Sequence, residues 1–540
     1  MRENREVPRS PAGVDDASSW MVRGVVDRHW AGREGNASGG KPSMNDRGKS
    51  DGPVVPAKPP NKPAVLAGAE VVEGRGPAKG NTASESRPGR SAGQGVSSEL
   101  DRVRQLARED KDVRFTALLH HVTVDRLRQA YRAISPGAAA GVDGVTWRDY
   151  GLELEGNLRD LHARVHRGAY RARPTRRVFI PKPDGRLRPL GVAALEDKVL
   201  QRAVVEVLNA VFEEDFLGFS YGFRPGRSQH DALDALSVGI TRKRVNFVLD
   251  ADISDFFSRL DQGWLERFLE HRIADKRVLR LIQKWLRAGV IEDGEWSSTE
   301  AGTAQGASVS PLLSNVYLHY VFDLWADQWR RRHAQGDVVL CRFADDYVAG
   351  FEHREDAERF LADLRDRFAK FGLELHPKKT RLIEFGRFAA ENRARRGDRK
   401  PETFDFLGFT HICAKTRNGR FKLKRVTSRK KMRAKLSSVK TEIRRRWHHS
   451  IPEQGRWLAS VLAGHYNYYA VPDNIRALQA FREAVIRRWR KALRRRSQRS
   501  RMTWERMRRI ADRWLPRPRI QHPWPTTRFD ARTQGRSPVR

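Results

Sequence analysis

The stretch Val338-Val-Leu-Cys-Arg-Phe-Ala-Asp-Asp-Tyr-Val-Ala-Gly-Phe351 leaves the chain few ways to fold. A β-branched, apolar run enters, a second apolar run leaves, and two adjacent aspartates sit at the break. This predicts a β-hairpin turning at Asp345 and Asp346. Neighbouring carboxylates beside buried strands repel each other and lose hydration, a cost usually met by a divalent cation. A solvated Asp-Asp turn is the plain alternative, because Asp is an ordinary turn residue.

A second acidic strand shifts the balance. Val245-Asn-Phe-Val-Leu-Asp-Ala-Asp-Ile-Ser-Asp-Phe-Phe257 starts apolar and ends acidic, with Asp250 and Asp252 on one face because strand side chains alternate. One carboxylate from this strand plus the hairpin pair gives the three-aspartate, two-metal arrangement that polymerases place on the attacking and leaving oxygens of phosphoryl transfer. Composition agrees. The 540 residues carry 104 Lys+Arg against 66 Asp+Glu, a net charge of +38, which is self-repelling without a polyanionic partner, and nucleic acid is the natural one. No apolar run is long enough to span a bilayer, so a membrane is not expected, and an N-terminus without the apolar core of a secretory signal predicts a cytoplasmic protein. With only Cys341 and Cys413, neither a multi-cysteine zinc module nor a disulfide framework is expected.

Eight blocks in order carry a family resemblance. They are Gly141-Val-Asp-Gly-Val145, Ile180-Pro-Lys-Pro-Asp-Gly-Arg-Leu-Arg-Pro-Leu-Gly191, Tyr221-Gly-Phe-Arg-Pro-Gly-Arg-Ser228 and Ala251-Asp-Ile-Ser-Asp-Phe-Phe257. Then come Gln305-Gly-Ala-Ser-Val-Ser-Pro-Leu-Leu-Ser-Asn315, Phe343-Ala-Asp-Asp346, Leu375-His-Pro-Lys-Lys-Thr380 and Phe406-Leu-Gly-Phe409. From about residue 98 to 520 the chain resembles the reverse transcriptase/maturase proteins of group II introns. Phe343 stands where most such enzymes have tyrosine, and Ala307 where glycine is commoner after Gln-Gly.

The resemblance implies an α+β, right-hand polymerase with fingers, an antiparallel-sheet palm and an α-helical thumb/maturase (X) domain. It implies RNA-directed DNA polymerase activity with two Mg2+ ions on Asp252, Asp345, Asp346 and the backbone carbonyl of Ile253. Lys182, Arg186, Arg188, Gln305 and Lys379 are the expected nucleotide contacts, with Phe256 or Phe257 packing under the sugar and rejecting a 2′-hydroxyl. Leu407, Gly408 and Phe409 form the expected primer grip. The implied partners are the parent intron RNA, an RNA template with DNA primer, deoxynucleoside triphosphates and a DNA target site. A homodimer is left open. The rival readings are a retron-type enzyme without maturase function and a purely RNA-binding splicing factor.

Along the chain, residues 1–97 are rich in Gly, Pro, Ser and Ala and are expected to be disordered. An N-terminal helical extension follows over 98–177, with Thr123 as a cap, then fingers and palm over 178–410 and thumb/maturase over 411–515. Arg224 and Arg227 sit in a basic turn suited to RNA phosphates, with Ser228 capping the next helix. An apolar helix is predicted over 312–325, a basic one over 425–447 and an arginine-dense one over 481–501. In the last, Arg487, Arg488, Arg494 and Arg495 are the expected RNA contacts. The tail 516–540 reads as too proline-rich for helix, and with no cysteine and only His522 it is not expected to be the HNH endonuclease of some relatives.

Overall fold

The computed structural model describes residues 94–181, 187–292, 295–298, 302–303, 305–496 and 502–533. Of the N-terminal stretch expected to be disordered, residues 1–93 lie outside the described part, and 94–97 instead open the helix Gln94–Glu109. Among the described residues no helix is long and apolar enough to cross a membrane.

Alternation of apolar and polar residues builds three sheets among the described residues. β1 (Thr175–Pro181) and β2 (Leu187–Val192) pair antiparallel, and β1 also pairs in parallel with β4 (Val290–Glu292), which carries β5 (Glu295–Ser297). The central sheet is antiparallel throughout, in the order β6-β7-β3-β8, from β3 (Phe247–Asp252), β6 (Val338–Phe343), β7 (Asp346–Phe351) and β8 (Arg381–Glu384). A third sheet holds β9 (Phe404–Phe406), β10 (Phe409–Lys415) and β11 (Phe421–Thr427). The boundary expected at 410/411 falls inside β10.

Both faces of the central sheet are covered, because β3, β6 and β7 carry apolar residues on each side. Leu249, Ala251, Leu340, Tyr347 and Phe351 enter one core with the helices Leu195–Asp215 and Ser310–Leu318. Val248, Val339, Cys341 and Val348 enter a second with the helix Gln229–Arg242 and with Phe406, Phe409 and Leu423 of the third sheet. The C-terminal helices Arg429–Arg445, Ile451–Tyr469, Ile475–Arg494 and Trp504–Trp514 close a third core around Leu458, Leu462 and Trp489.

Local signals set several boundaries. Thr123 accepts from the Arg126 amide to start Val124–Ala133, while Ser228 with Asp231 and Ser450 with Glu453 form capping boxes. The apolar run 312–325 is not one helix. Ser310–Leu318 passes into a π-helical turn, His319–Asp323, before Leu324–Arg332, and that turn brings the Asp323 carboxylate into the interior.

Two expectations at the C-terminal end are corrected. Arg425 belongs to β11, with its guanidinium buried on Asp234 at 2.7 Å, and the basic helix starts only at Arg429. The tail also contains a helix, Pro525–Thr533. Its prolines at 516, 518 and 523 precede the helix and Pro525 opens it, where a missing N–H costs nothing. The helix lies on Gln229–Arg242: Phe529 is buried in the second core, Arg528 reaches Asp234 at 2.9 Å, and Arg242 pairs with Asp530 at 2.8 Å. Burying one such phenylalanine stabilises by roughly 2 kcal/mol, more than an exposed ion pair contributes, so Phe529 anchors the segment.

Candidate active site

The hairpin forms where the sequence places it. β3 pairs Asp252 with Asp346, and β6–β7 pairs Phe343 with Asp346, so Ala344 and Asp345 make a two-residue turn. Directly opposed residues share a face. Asp250, Asp252, Asp346 and Phe343 therefore all lie on the face of the second core, at the end where Asp346 is exposed to solvent. Ala344 adopts φ +56°, a left-handed conformation that a residue with a Cβ holds only under constraint from its surroundings.

The carboxylates repel one another and are only partly paired. The protein packed behind Asp346 raises its carboxyl first, the charges of Asp345 and Asp252 add to this, and it is pushed up to about 8. Although its outer edge is exposed, its carboxyl lies within hydrogen-bond reach of Asp252, to which its protonated form donates. Asp345 is also raised, by burial and then by Asp252, while Arg188 of β2 and Lys379 pull it down. Asp250 is raised by burial to about 6, opposed by Arg381 at 3.5 Å. The ion pairs here go to Asp252, from Lys379, and to Asp250, from Arg381, whereas among the described residues none goes to Asp345 or Asp346.

The end of β3 is gripped by the segment carrying Lys379. The His376 amide donates to the Asp252 carbonyl and the Ser254 amide to the Glu374 carbonyl, both at 2.8 Å. Successive residues of an extended chain point their backbone groups to alternate sides, so Ile253 turns its carbonyl away from 374–376 and towards β7 and its turn. No group of three His, Cys, Asp or Glu side chains among the described residues is closed up around an ion position. The Lys379 ammonium instead lies against Asp252. The donor set still fits a hard divalent cation, since hard cations take carboxylate and carbonyl oxygens and, among the described residues, Asp345 and Asp346 take no ion pair.

The other expected site residues divide. Phe256 is buried against Tyr317, while Phe257, in edge contact with it, keeps accessible surface, so Phe257 is the ring open to a ligand. Gly306, at φ +113°, lets its loop press on β2, where the Gly191 amide donates to the Gln305 carbonyl at 2.8 Å. Lys182 and Arg186 lie outside the described residues.

Arg224 is not placed for a phosphate. It is buried, stacked on Phe216, and donates to Glu213 and to the Leu217 and Ser220 carbonyls, because the loop's inward carbonyls need donors. Arg227 likewise donates to the Gly218 carbonyl at 2.6 Å. Leu407 and Gly408, at φ +47° and +80°, form a tight turn whose Leu407 carbonyl accepts from the Tyr468 hydroxyl at 2.7 Å, and Phe409 is buried below it. Arg487, Arg494 and Arg495 are exposed and Arg488 partly so, in two adjacent seven-residue spacings on Ile475–Arg494 and its end.

Sequence reading missed Arg381, which bridges Asp250 and the Thr403 carbonyl, and Arg342 with its partners Asp323, Asn315 and Ser220. The available signal was a lone charge inside an apolar run, Arg342 in Val338–Phe343 and Asp323 in the apolar helix.

The family profile described as "Reverse transcriptase (RNA-dependent DNA polymerase)" matches residues 180–411. Over 289 residues the chain is 34% identical to Protein YkfC of Escherichia coli, covering 47% of this chain and 75% of that protein. Over 222 residues it is 32% identical to the Group II intron-encoded protein LtrA of Lactococcus lactis, covering 41% of this chain and 37% of LtrA. Over 189 residues it is 38% identical to an uncharacterized 91 kDa protein in a cob intron of Schizosaccharomyces pombe, covering 34% and 23%. The alignment thus spans three quarters of YkfC but well under two thirds of the other two relatives.

Proposed function

Because the chain belongs to the reverse transcriptase family, and within it to the kind that group II introns encode, we propose that it extends a DNA primer on an RNA template at Asp252, Asp345 and Asp346. We further propose that it binds its parent intron RNA to assist splicing and copies that RNA at a DNA target site. In this reading β1–β2 belongs to the fingers, the central sheet is the palm, and the helices from Arg429 onward form the thumb and maturase domain.

Asp252, Asp345, Asp346 and the Ile253 carbonyl would hold two Mg2+ ions, which when bound lower the pKa of the primer 3′-hydroxyl and neutralise the departing pyrophosphate. The chain's own residues prepare that site. Asp346 gives up its proton, and Lys379 is released from Asp252 to meet phosphate, as a flexible ammonium point charge can. Arg188 of β2 would supply a cation to the triphosphate, as would Lys182 and Arg186 by their place in the sequence, and the Gln305 loop and Phe257 confine its sugar and base. The Leu407-Gly408 turn over Phe409 holds the primer backbone. Arg487, Arg488, Arg494 and Arg495 take RNA phosphates.

The observation carrying this reading is that Asp345 and Asp346, beside the opposed Asp252, take no ion pair among the described residues in a chain of net charge +38. Asp345→Asn and Asp346→Asn are expected to abolish primer extension on RNA templates and leave RNA binding nearly intact. Full extension by either variant would remove the assignment.

A further inference from the structure

Arg342 precedes the hairpin turn, and its side chain is buried, with 1% of it exposed and none of its partner Asp323. It has five N–H donors and all are engaged. Nε donates to one Asp323 oxygen at 2.7 Å and Nη2 to the other, while Nη2 also donates to the Ser220 hydroxyl at 2.7 Å. Nη1 donates to the Asn315 side-chain oxygen at 3.1 Å and to the Ala344 carbonyl at 3.0 Å.

That last acceptor gives the cluster its meaning. The Ala344 carbonyl belongs to the peptide leading into Asp345, and Ala344 is the residue held at φ +56°. Fixing this carbonyl fixes the plane from which the Asp345 side chain departs. The same cluster brings in a second wall: the Asn315 amide donates to the Gly222 carbonyl at 2.7 Å, and the Arg342 backbone exchanges hydrogen bonds with Phe219 and Tyr221, each at 2.9 Å. A Cβ at Gly222 would lie 2.2 Å from the Ala344 nitrogen, so this loop is pressed backbone to backbone against the turn. A buried ion pair that only filled space could be exchanged for apolar side chains. Here the guanidinium reaches three further elements and ends on the turn itself.

We infer that Arg342, held by Asp323, Asn315 and Ser220, is a positioning residue that sets the Ala344–Asp345 peptide and so aims Asp345 at the cation site. The inference rests on the proposed polymerase reading. The carboxylates bind cation through geometry imposed by this buried cluster, and loosening the cluster weakens cation binding before it weakens nucleic-acid binding.

The test uses the full chain and four readouts: thermal melting, primer-template binding, Mn2+ binding followed by the electron paramagnetic resonance of free Mn2+ without nucleic acid, and primer extension. Arg342→Met combined with Asp323→Leu removes both charges and leaves neither partner stranded. It is expected to melt cooperatively, bind primer-template like the unmodified chain, and bind Mn2+ about tenfold or more weakly, the loss typical of groups that orient metal ligands. Arg342→Lys keeps the charge and loses the planar fork, and is expected to give a smaller loss of about fivefold in the same direction. If the double variant does not fold, the lysine variant decides. A folded variant of either kind with unchanged Mn2+ affinity and extension overturns the inference while leaving the polymerase reading in place. An unmodified chain that neither binds Mn2+ nor extends primers overturns both.

Discussion

Two groups of aspartates in this protein meet opposite fates. Asp234, at the junction with the C-terminal helix Pro525–Thr533, takes Arg425 at 2.7 Å and Arg528 at 2.9 Å. Asp323 is closed by Arg342, and Asp215 by Arg272 at 3.0 Å. Asp345 and Asp346 take no ion pair among the described residues, and Asp346 is pushed up to about 8. Cations are not scarce in a chain with 104 Lys and Arg. Arginine is therefore matched to the aspartates that are buried, and not to the pair that the proposed function assigns to a cation.

Breaking the matched group has the largest expected effect on the fold. Asp234→Asn leaves Arg425 and Arg528 without their buried counter-charge, so unfolding free energy should fall by about 3–5 kcal/mol, read from denaturant melts. Primer extension per folded molecule should persist. Loss of extension with stability intact would place Asp234 among the functional acids.

Removing charge from the unmatched group should act the other way. Because the Asp346 carboxyl lies above its ordinary value in the folded protein, the native state holds the proton more tightly than the unfolded chain. Stability of the metal-free protein should then fall as pH rises from about 4 to about 8. Asp346→Asn, or added Mg2+, should flatten this part of the profile in melting temperatures measured with and without chelator. A profile unchanged by both would show that the repulsion is relieved by something else.

The acidic hairpin was legible in sequence because a strand alternates with period two and a two-residue turn fixes register, so Asp252 had to share a face with any opposed aspartate. Helix starts at Thr123 and Ser228 were legible for a similar local reason, a side chain satisfying an amide three residues on. What could not be read was long-range. Arg425 looks helical among its basic neighbours and becomes a strand residue because Asp234, 191 residues away, receives it. Arg224 looks exposed by composition and is buried because its own loop turns carbonyls inward. In the tail, counting prolines hid the positions of Pro516, Pro518 and Pro523, which precede the helix, and of Pro525, which opens it.

The smallest expected effect lies on the exposed arginines. Replacing Arg487, Arg488, Arg494 and Arg495 with glutamine should weaken intron RNA binding and lower the salt slope by up to about one for each phosphate left unneutralised. Extension of a short primer-template should change less. Equal losses in both assays would mean that this helix grips the duplex being copied and not the intron.

The central claim, that the carboxylates without arginine partners form the reaction centre, is tested most directly on β3. There Asp252 opposes Asp346, while Asp250 is paired with Arg381. The measurement is steady-state primer extension on an RNA template across a Mg2+ titration for Asp252→Ala and Asp250→Ala. The account predicts that Asp252→Ala is inert at every Mg2+ concentration and that Asp250→Ala extends primers at a reduced rate. An inert Asp250 variant beside an active Asp252 variant would contradict it.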